Sequence, residues 1–141
     1  MRMRVFIAGI MQGSRRDAEV DSQDYRRRIT ALLRQHLPGV EIVDPWELFP
    51  DSPAYTEERG RQVFLSMCEA AAQVDVLVAY APYASMGTAI EMWQAYRAGV
   101  PVYCISPMTA NWVVWFLSER IFPSIEAFGA FVAEGGLNGN S

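Results

Sequence analysis

Four short strand-like runs, three of them apolar at every position, divide this chain, and between them lie stretches whose hydrophobic residues recur at helical spacing. The runs are Val5 to Ile10, Val40 to Val43, Val76 to Tyr80 and Val102 to Ile105. A run that is apolar at every position, rather than at every second one, is the form expected of a parallel strand covered on both faces. After the first run, Tyr25, Ile29, Leu32, Leu33 and Leu37 define one helical face, and Pro38-Gly39 ends that helix. A second helix is predicted over about Glu57 to Gln73, with Val63, Phe64, Met67 and Ala71 on one face. A third opens near Gly87 and closes at Gly99, a short one follows from Asn111, and Ser124 to Ala133 forms the last, after a fifth strand over Arg120 to Phe122. Strands alternating with helices predict an α/β fold, a doubly wound, flavodoxin- or Rossmann-like parallel sheet of about five strands flanked by helices. In such sheets the ligand crevice lies beyond the carboxyl ends of the strands, so the loops after the strands are where function is to be sought.

At 141 residues the chain has the length of a single domain, 1–141, and is large enough to bury a core without disulfides or a metal. The hydrophobic share of 51% and the charged share of 20% exclude a disordered or fibrous chain. Net charge is −4, every basic side chain except His36 is an arginine, and the clusters Arg15-Arg16 and Arg26-Arg27-Arg28 have acids close by. No basic stripe of the kind a nucleic-acid groove needs can be assembled, so the expected partner is a small molecule. The longest apolar stretch, Trp112 to Leu117, is far too short to span a membrane. Met1 to Arg4 leads straight into the first strand with no secretory signal, so Cys68 and Cys104 are expected as free thiols in a cytoplasmic protein. With His36 the one histidine, no zinc-ligand spacing exists and no metal site is predicted.

The loop after the first strand is Met11-Gln12-Gly13-Ser14-Arg15-Arg16-Asp17. Gly13 permits a close approach, Ser14 offers a hydroxyl and Arg16 a planar fork, which together suit a phosphate; an ordinary turn with solvated arginines is the competing reading of the same residues. It is neither a GxxxxGK[ST] loop nor, with Gly9 and Gly13, a GxGxxG turn. After the third strand comes Ser85-Met86-Gly87-Thr88-Ala89-Ile90-Glu91, running into a helix. Free N–H groups at a helix start suit an anion held by Ser85, Gly87 and Thr88, and the helix dipole would favour an ionised Glu91. The competing structural reading makes Thr88-x-x-Glu91 a capping box, with Glu91 reaching back to a backbone N–H.

Ile7-Ala8-Gly9 followed by Gly13-Ser14, Asp75 at the head of an apolar strand, and Ser85-x-Gly87-Thr88-x-x-Glu91 in the third loop resemble the nucleoside 2-deoxyribosyltransferase superfamily. The likeness runs nearly the whole chain in order and spacing, and is greatest to the branch that hydrolyses nucleoside 5'-monophosphates. It implies that Glu91 is the nucleophile, attacking the anomeric carbon as the base departs, with no cofactor required. It implies that Ser14, Arg16 and Ser85 hold the 5'-phosphate, beside Gly9, Gly13, Gly87 and Thr88. Transferases of free nucleosides carry an acid near the position of Ser85, so the serine favours a phosphorylated substrate. Base exchange between nucleosides is the alternative activity, and a nucleotide-binding module without turnover is another.

Two positions depart from the family's pattern: Met67 stands where an Asp is common, with Ser66 and Glu69 nearby, and Ile10 stands where the first loop often has a Tyr. Both bear on recognition of the sugar and base. Asp44-Pro45-Trp46-Glu47 offers a carboxylate and an aromatic wall for the base, or else simply ends the second strand and packs Trp46 in the core. The segment Asn111 to Leu117 is apolar around nearly its whole circumference, which points to a homodimer or higher homo-oligomer through Trp112 to Leu117. Family members resemble this arrangement, a partner lending a residue to the site. Asn111 is the candidate for that role, or else a helix N-cap.

Overall fold

The computed structural model describes residues 2–11 and 22–138. Five strands form one sheet in the order β2-β1-β3-β4-β5, every neighbouring pair parallel. They are β1 (Arg4–Gly9), β2 (Glu41–Val43), β3 (Val76–Tyr80), β4 (Val102–Ile105) and β5 (Arg120–Phe122). The helices are α1 (Asp24–His36), α2 (Pro45–Leu48), α3 (Glu57–Ala70), α4 (Met86–Arg97), α5 (Trp112–Leu117) and α6 (Ile125–Ala133). The doubly wound α/β class and the order of elements are those expected from the apolar runs. The stretch after β2, which reads as a long loop because Pro45, Pro50 and Pro53 interrupt any period, contains α2 and a turn of 3₁₀ helix at Ser52–Ala54. Pro45 sits at the first helical position, where its missing N–H costs nothing.

Strand alternation divides the core in two. Val5, Ile7, Val76, Val78, Tyr103 and Ile105 point to one face, where Ile29 and Leu33 of α1 and Phe128 and Val132 of α6 cover them. Phe6, Ala8, Leu77, Ala79, Val102 and Cys104 point to the other, beneath Met92 and Ala95 of α4 and Val114 of α5. Both cysteines are buried free thiols. No helix among the described residues is long and apolar enough to cross a membrane.

The direction in which strands are added to the sheet reverses between β1 and β3, and in sheets of this class ligands bind beyond the carboxyl ends at such a switch point. Because β2 has three residues and its pairing stops at Phe6–Val43, the last carbonyls of β1 on that side lack a strand partner. A buried carbonyl without a partner is costly, so something else must reach them.

Candidate active site at the head of the sheet

Arg26 reaches them. Its place on α1 follows from helical spacing: Arg26, Thr30 and Leu33 lie on one stripe, and all three are buried. The Leu33 end of the stripe packs in the core, and the Arg26 end overhangs the end of β1. Nη1 donates to the Ile7 carbonyl at 3.1 Å and to Asp44 Oδ1 at 2.8 Å, and Nη2 donates to the Gly9 carbonyl at 3.1 Å. Nε donates to Gln23 Oε1 at 2.7 Å. Asp44, the residue that follows β2, also accepts from the Trp46 N–H at 3.0 Å and so caps α2. Arg26 is 2% exposed and Asp44 4%.

Tyr25 lies next to this clamp. Its hydroxyl donates to the Ile10 carbonyl at 3.0 Å and its ring stacks on Tyr80 at 4.5 Å between centroids. The ring fills the space where a side chain at position 9 would stand, which is why β1 ends in glycine. Burial raises the phenol well above its ordinary range, opposed by the Arg26 charge and assisted by the charges of Asp44 and Glu91.

At the start of α4 the cap is Ser85, not Thr88. Ser85 Oγ accepts from the Thr88 N–H at 3.4 Å and from the Thr88 hydroxyl at 2.9 Å. Thr88 is therefore already inside the helix, and the capping-box reading of Thr88 and Glu91 fails: Glu91 lies a further turn along, out of reach of the cap's N–H. For the same reason the helix dipole, which fades within the first turn, does not govern its charge. Glu91 is half-buried, and burial pushes its carboxyl up from 4.5 to about 8, with the Arg26 charge pulling down and the Asp44 charge pushing up. The Cys68 thiol of α3 is raised by burial and then by the charge of Glu91.

Gly9 and Asp44 meet at Arg26, whose guanidinium binds the Gly9 carbonyl and the Asp44 carboxylate, while Glu91 lies on α4. Ser85, Gly87 and Thr88 form the turn that opens the same helix, with open space over Gly87. Gly13, Ser14 and Arg16 lie outside the described residues. Trp46 is half-buried. Asn111 caps α5, its Oδ1 accepting from the N–H groups of Val113 at 3.0 Å and Val114 at 3.3 Å. Met67 packs half-buried against the core, and the buried Ile10 contributes its carbonyl to Tyr25. Sequence reasoning missed Tyr25 and Arg26 as site residues. Tyr25 reads as one more apolar residue of α1 and Arg26 as part of a solvated cluster; the available signal was an arginine four and seven residues before positions of the buried stripe.

A cavity of about 280 Å³ opens on the opposite side of the sheet's head, between Tyr80, Ser106, Pro107 and the start of α6, with Arg28 and Glu126 at its rim. Glu91 is not among its lining residues. Among the described residues no three His, Cys, Asp or Glu side chains gather as a metal site.

Compared with solved structures, the chain is similar to a 2-deoxyribosyltransferase from the psychrotolerant bacterium Bacillus psychrosaccharolyticus, with a TM-score of 0.65 and 20% identity over 89% of this chain and 90% of that one. The chain shares the 2-deoxyribosyltransferase fold. It is also similar to a conserved protein from Enterococcus faecalis V583, with a TM-score of 0.68 and 18% identity over 96% of this chain and 99% of that one. A CMP N-glycosidase from Clostridium botulinum matches with a TM-score of 0.53 and 17% identity over 95% and 98% of the two chains. No protein-family model and no curated protein matches the chain. At these identities the likeness is one of fold, and it spans nearly the full length of each partner.

Proposed function

We propose that this chain is an N-glycosidase of nucleoside 5'-monophosphates, with Glu91 as nucleophile. The observation that carries the reading is the placing of Glu91: a carboxyl half-buried at the switch point of a parallel sheet, on the helix whose first turn is Ser85-Met86-Gly87-Thr88. In its ionised form, which burial shifts towards alkaline pH, Glu91 would attack the anomeric carbon as the bond to the base breaks and the base leaves with the bonding pair. Water would then open the glycosyl ester, returning the carboxyl and releasing the sugar phosphate.

Ser85 is suited to the phosphate by its own hydrogen bonds. Its oxygen accepts from the Thr88 N–H and from the Thr88 hydroxyl, which leaves its own hydrogen free to donate. Ser14 and Arg16 are proposed to complete the phosphate seat, with Gly13 and Gly87 permitting close approach; Gly9 serves it only indirectly, by making room for the Tyr25 ring. Trp46 is proposed as the wall for the base, while Asp44, engaged by Arg26, shapes that end of the crevice from below. No cofactor enters these steps.

The exposed Trp112, Trp115 and Phe116 of α5 support a homodimer in which a second copy covers this helix and brings its Asn111 close to the site. A cytoplasmic setting agrees with two reduced thiols.

Transfer is the second reading, favoured by the likeness to a 2-deoxyribosyltransferase. Both are tested by incubating the protein with ribo- and deoxyribonucleoside 5'-monophosphates and the matching nucleosides, and measuring free base by chromatography. Release from the monophosphates alone is the expected result. Base exchange outpacing hydrolysis once a free base is added would favour transfer, and no release from any substrate would overturn both.

A further inference from the structure

The cavity between Tyr80, Ser106 and the start of α6 has no part in the reaction proposed above. It lies at the carboxyl ends of β3, β4 and β5, the end of the sheet at which this class of fold takes its ligands. Its walls are the side chains of Tyr80, Ile105 and Ile125 and the rings of three prolines, broken by the hydroxyls of Ser106 and Ser124. Ser106 Oγ accepts from the Met108 N–H at 3.0 Å, and Ser124 Oγ accepts from the Ala127 N–H at 3.1 Å. Neither hydroxyl donates to an acceptor among the described residues, so each keeps a hydrogen to offer, and Ser106 is 1% exposed. Apolar walls with a few placed donors are the make-up of a small-molecule site.

Size and charge narrow the occupant. About 280 Å³ lies just below the range of roughly 300–1,000 Å³ that holds drug-sized ligands, which fits one small ring system. At the rim, Arg28 Nη2 donates to Glu126 Oε1 at 2.9 Å. The Glu126 carboxyl is held low by its own backbone N–H and by Arg28, so it stays ionised. A phosphate entering here would meet that carboxylate with Arg28 already paired. A neutral ring meets no such barrier.

We propose that this cavity is a second site, for a free, uncharged nucleobase whose ring carbonyl oxygens accept from the Ser106 and Ser124 hydroxyls while the ring lies among Tyr80 and the prolines. The choice of a nucleobase among small rings rests on the reading of the chain as an N-glycosidase, whose reaction sets one free. The cavity holds that base apart from the seat proposed for it at Trp46, and Glu91 is not among its lining residues.

The test is a proton–nitrogen NMR titration of the intact protein with uracil and with hypoxanthine, each of which carries a ring carbonyl. At least one should shift the amide signals of Ser106, Met108, Ser124 and Glu126 saturably, and inorganic phosphate should not. Ser106→Ala should weaken binding about three- to tenfold. Pro107→Trp, which sets a large side chain at an exposed position of the lining, should abolish it, and Glu91→Ala should leave it unchanged. If Pro107→Trp fails to fold, Ser106→Ala carries the test alone. No shift with either base, shifts centred on Trp46 and α4 instead, equal shifts from phosphate, or unchanged affinity in Ser106→Ala would overturn the proposal. Because the titration needs no turnover, failure to release base from nucleotides would count against the glycosidase reading and not against this site.

Discussion

Arg26 and Asp44 form an ion pair across the open end of β1, Nη1 to Oδ1 at 2.8 Å, with both side chains almost wholly removed from solvent. Its partners show what it does for the fold: it joins α1, the carbonyl end of β1 and the cap of α2 where the short β2 has stopped pairing. Removing one member of a buried pair strands the other, so Asp44→Ala should lose about 3–5 kcal/mol of stability in denaturant unfolding. The pair of Arg28 and Glu126, at 2.9 Å, lies mostly in solvent, and Arg28→Ala should leave the unfolding midpoint nearly unchanged.

Glu91 makes stability depend on pH. Its carboxyl is raised by burial to about 8 from an ordinary 4.5, so between those values the native chain keeps a proton that the unfolded chain has released. The contribution is fully present below about 4.5 and is lost as pH rises through about 8. Glu91→Gln removes the titration; it should match wild type near pH 4.5 and exceed it above pH 8 by about 1–3 kcal/mol in denaturant unfolding. A gap of constant size at every pH would contradict the burial of an ionisable group there.

Gly9 shares its space with Tyr25. A methyl group at position 9 would run into the Tyr25 ring, which is held between its hydrogen bond to Ile10 and the stack on Tyr80 and has little freedom to withdraw. Gly9→Ala should cost about 1–3 kcal/mol, and adding Tyr25→Phe should recover part of it, because the phenol oxygen is the atom nearest the new methyl and its hydrogen bond to Ile10 holds the ring there. Thermal unfolding of the two variants checks this.

Much of this architecture was legible in the residues. Runs such as Val76–Tyr80 and Val102–Ile105, apolar at every position, mark strands covered on both faces, and both stand where their sequence puts them. Ser124 and Asn111 read as helix starts and serve as caps. The α2 turn was hidden because four residues bounded by prolines carry no period. The cap of α4 was misread in one alternative because Ser85 and Thr88 are both good capping residues three apart, and only the backbone decides between them. Arg26 was hidden for a different reason: a charged residue is assumed to face solvent, and its burial depends on unpaired carbonyls in β1, seventeen and nineteen residues away, which no local pattern reports.

The exposed face of α5 gives a prediction about assembly. Trp112 is 75% exposed and Trp115 and Phe116 more than half, an unusual display of aromatic surface for a single chain. If a second copy covers it, light scattering coupled to size exclusion should show a dimer in the wild type and a monomer in Trp112→Asp/Trp115→Asp. A monomeric wild type would contradict the proposed assembly.

The central claim is that Glu91 attacks a glycosidic carbon, and it is tested most directly by comparing wild type with Glu91→Ala, both shown to be folded, for release of free base from nucleoside 5'-monophosphates. Loss of a nucleophile should lower the rate by orders of magnitude. Base release by wild type, abolished in Glu91→Ala, is the predicted result; release that persists in the variant at a comparable rate would contradict the account.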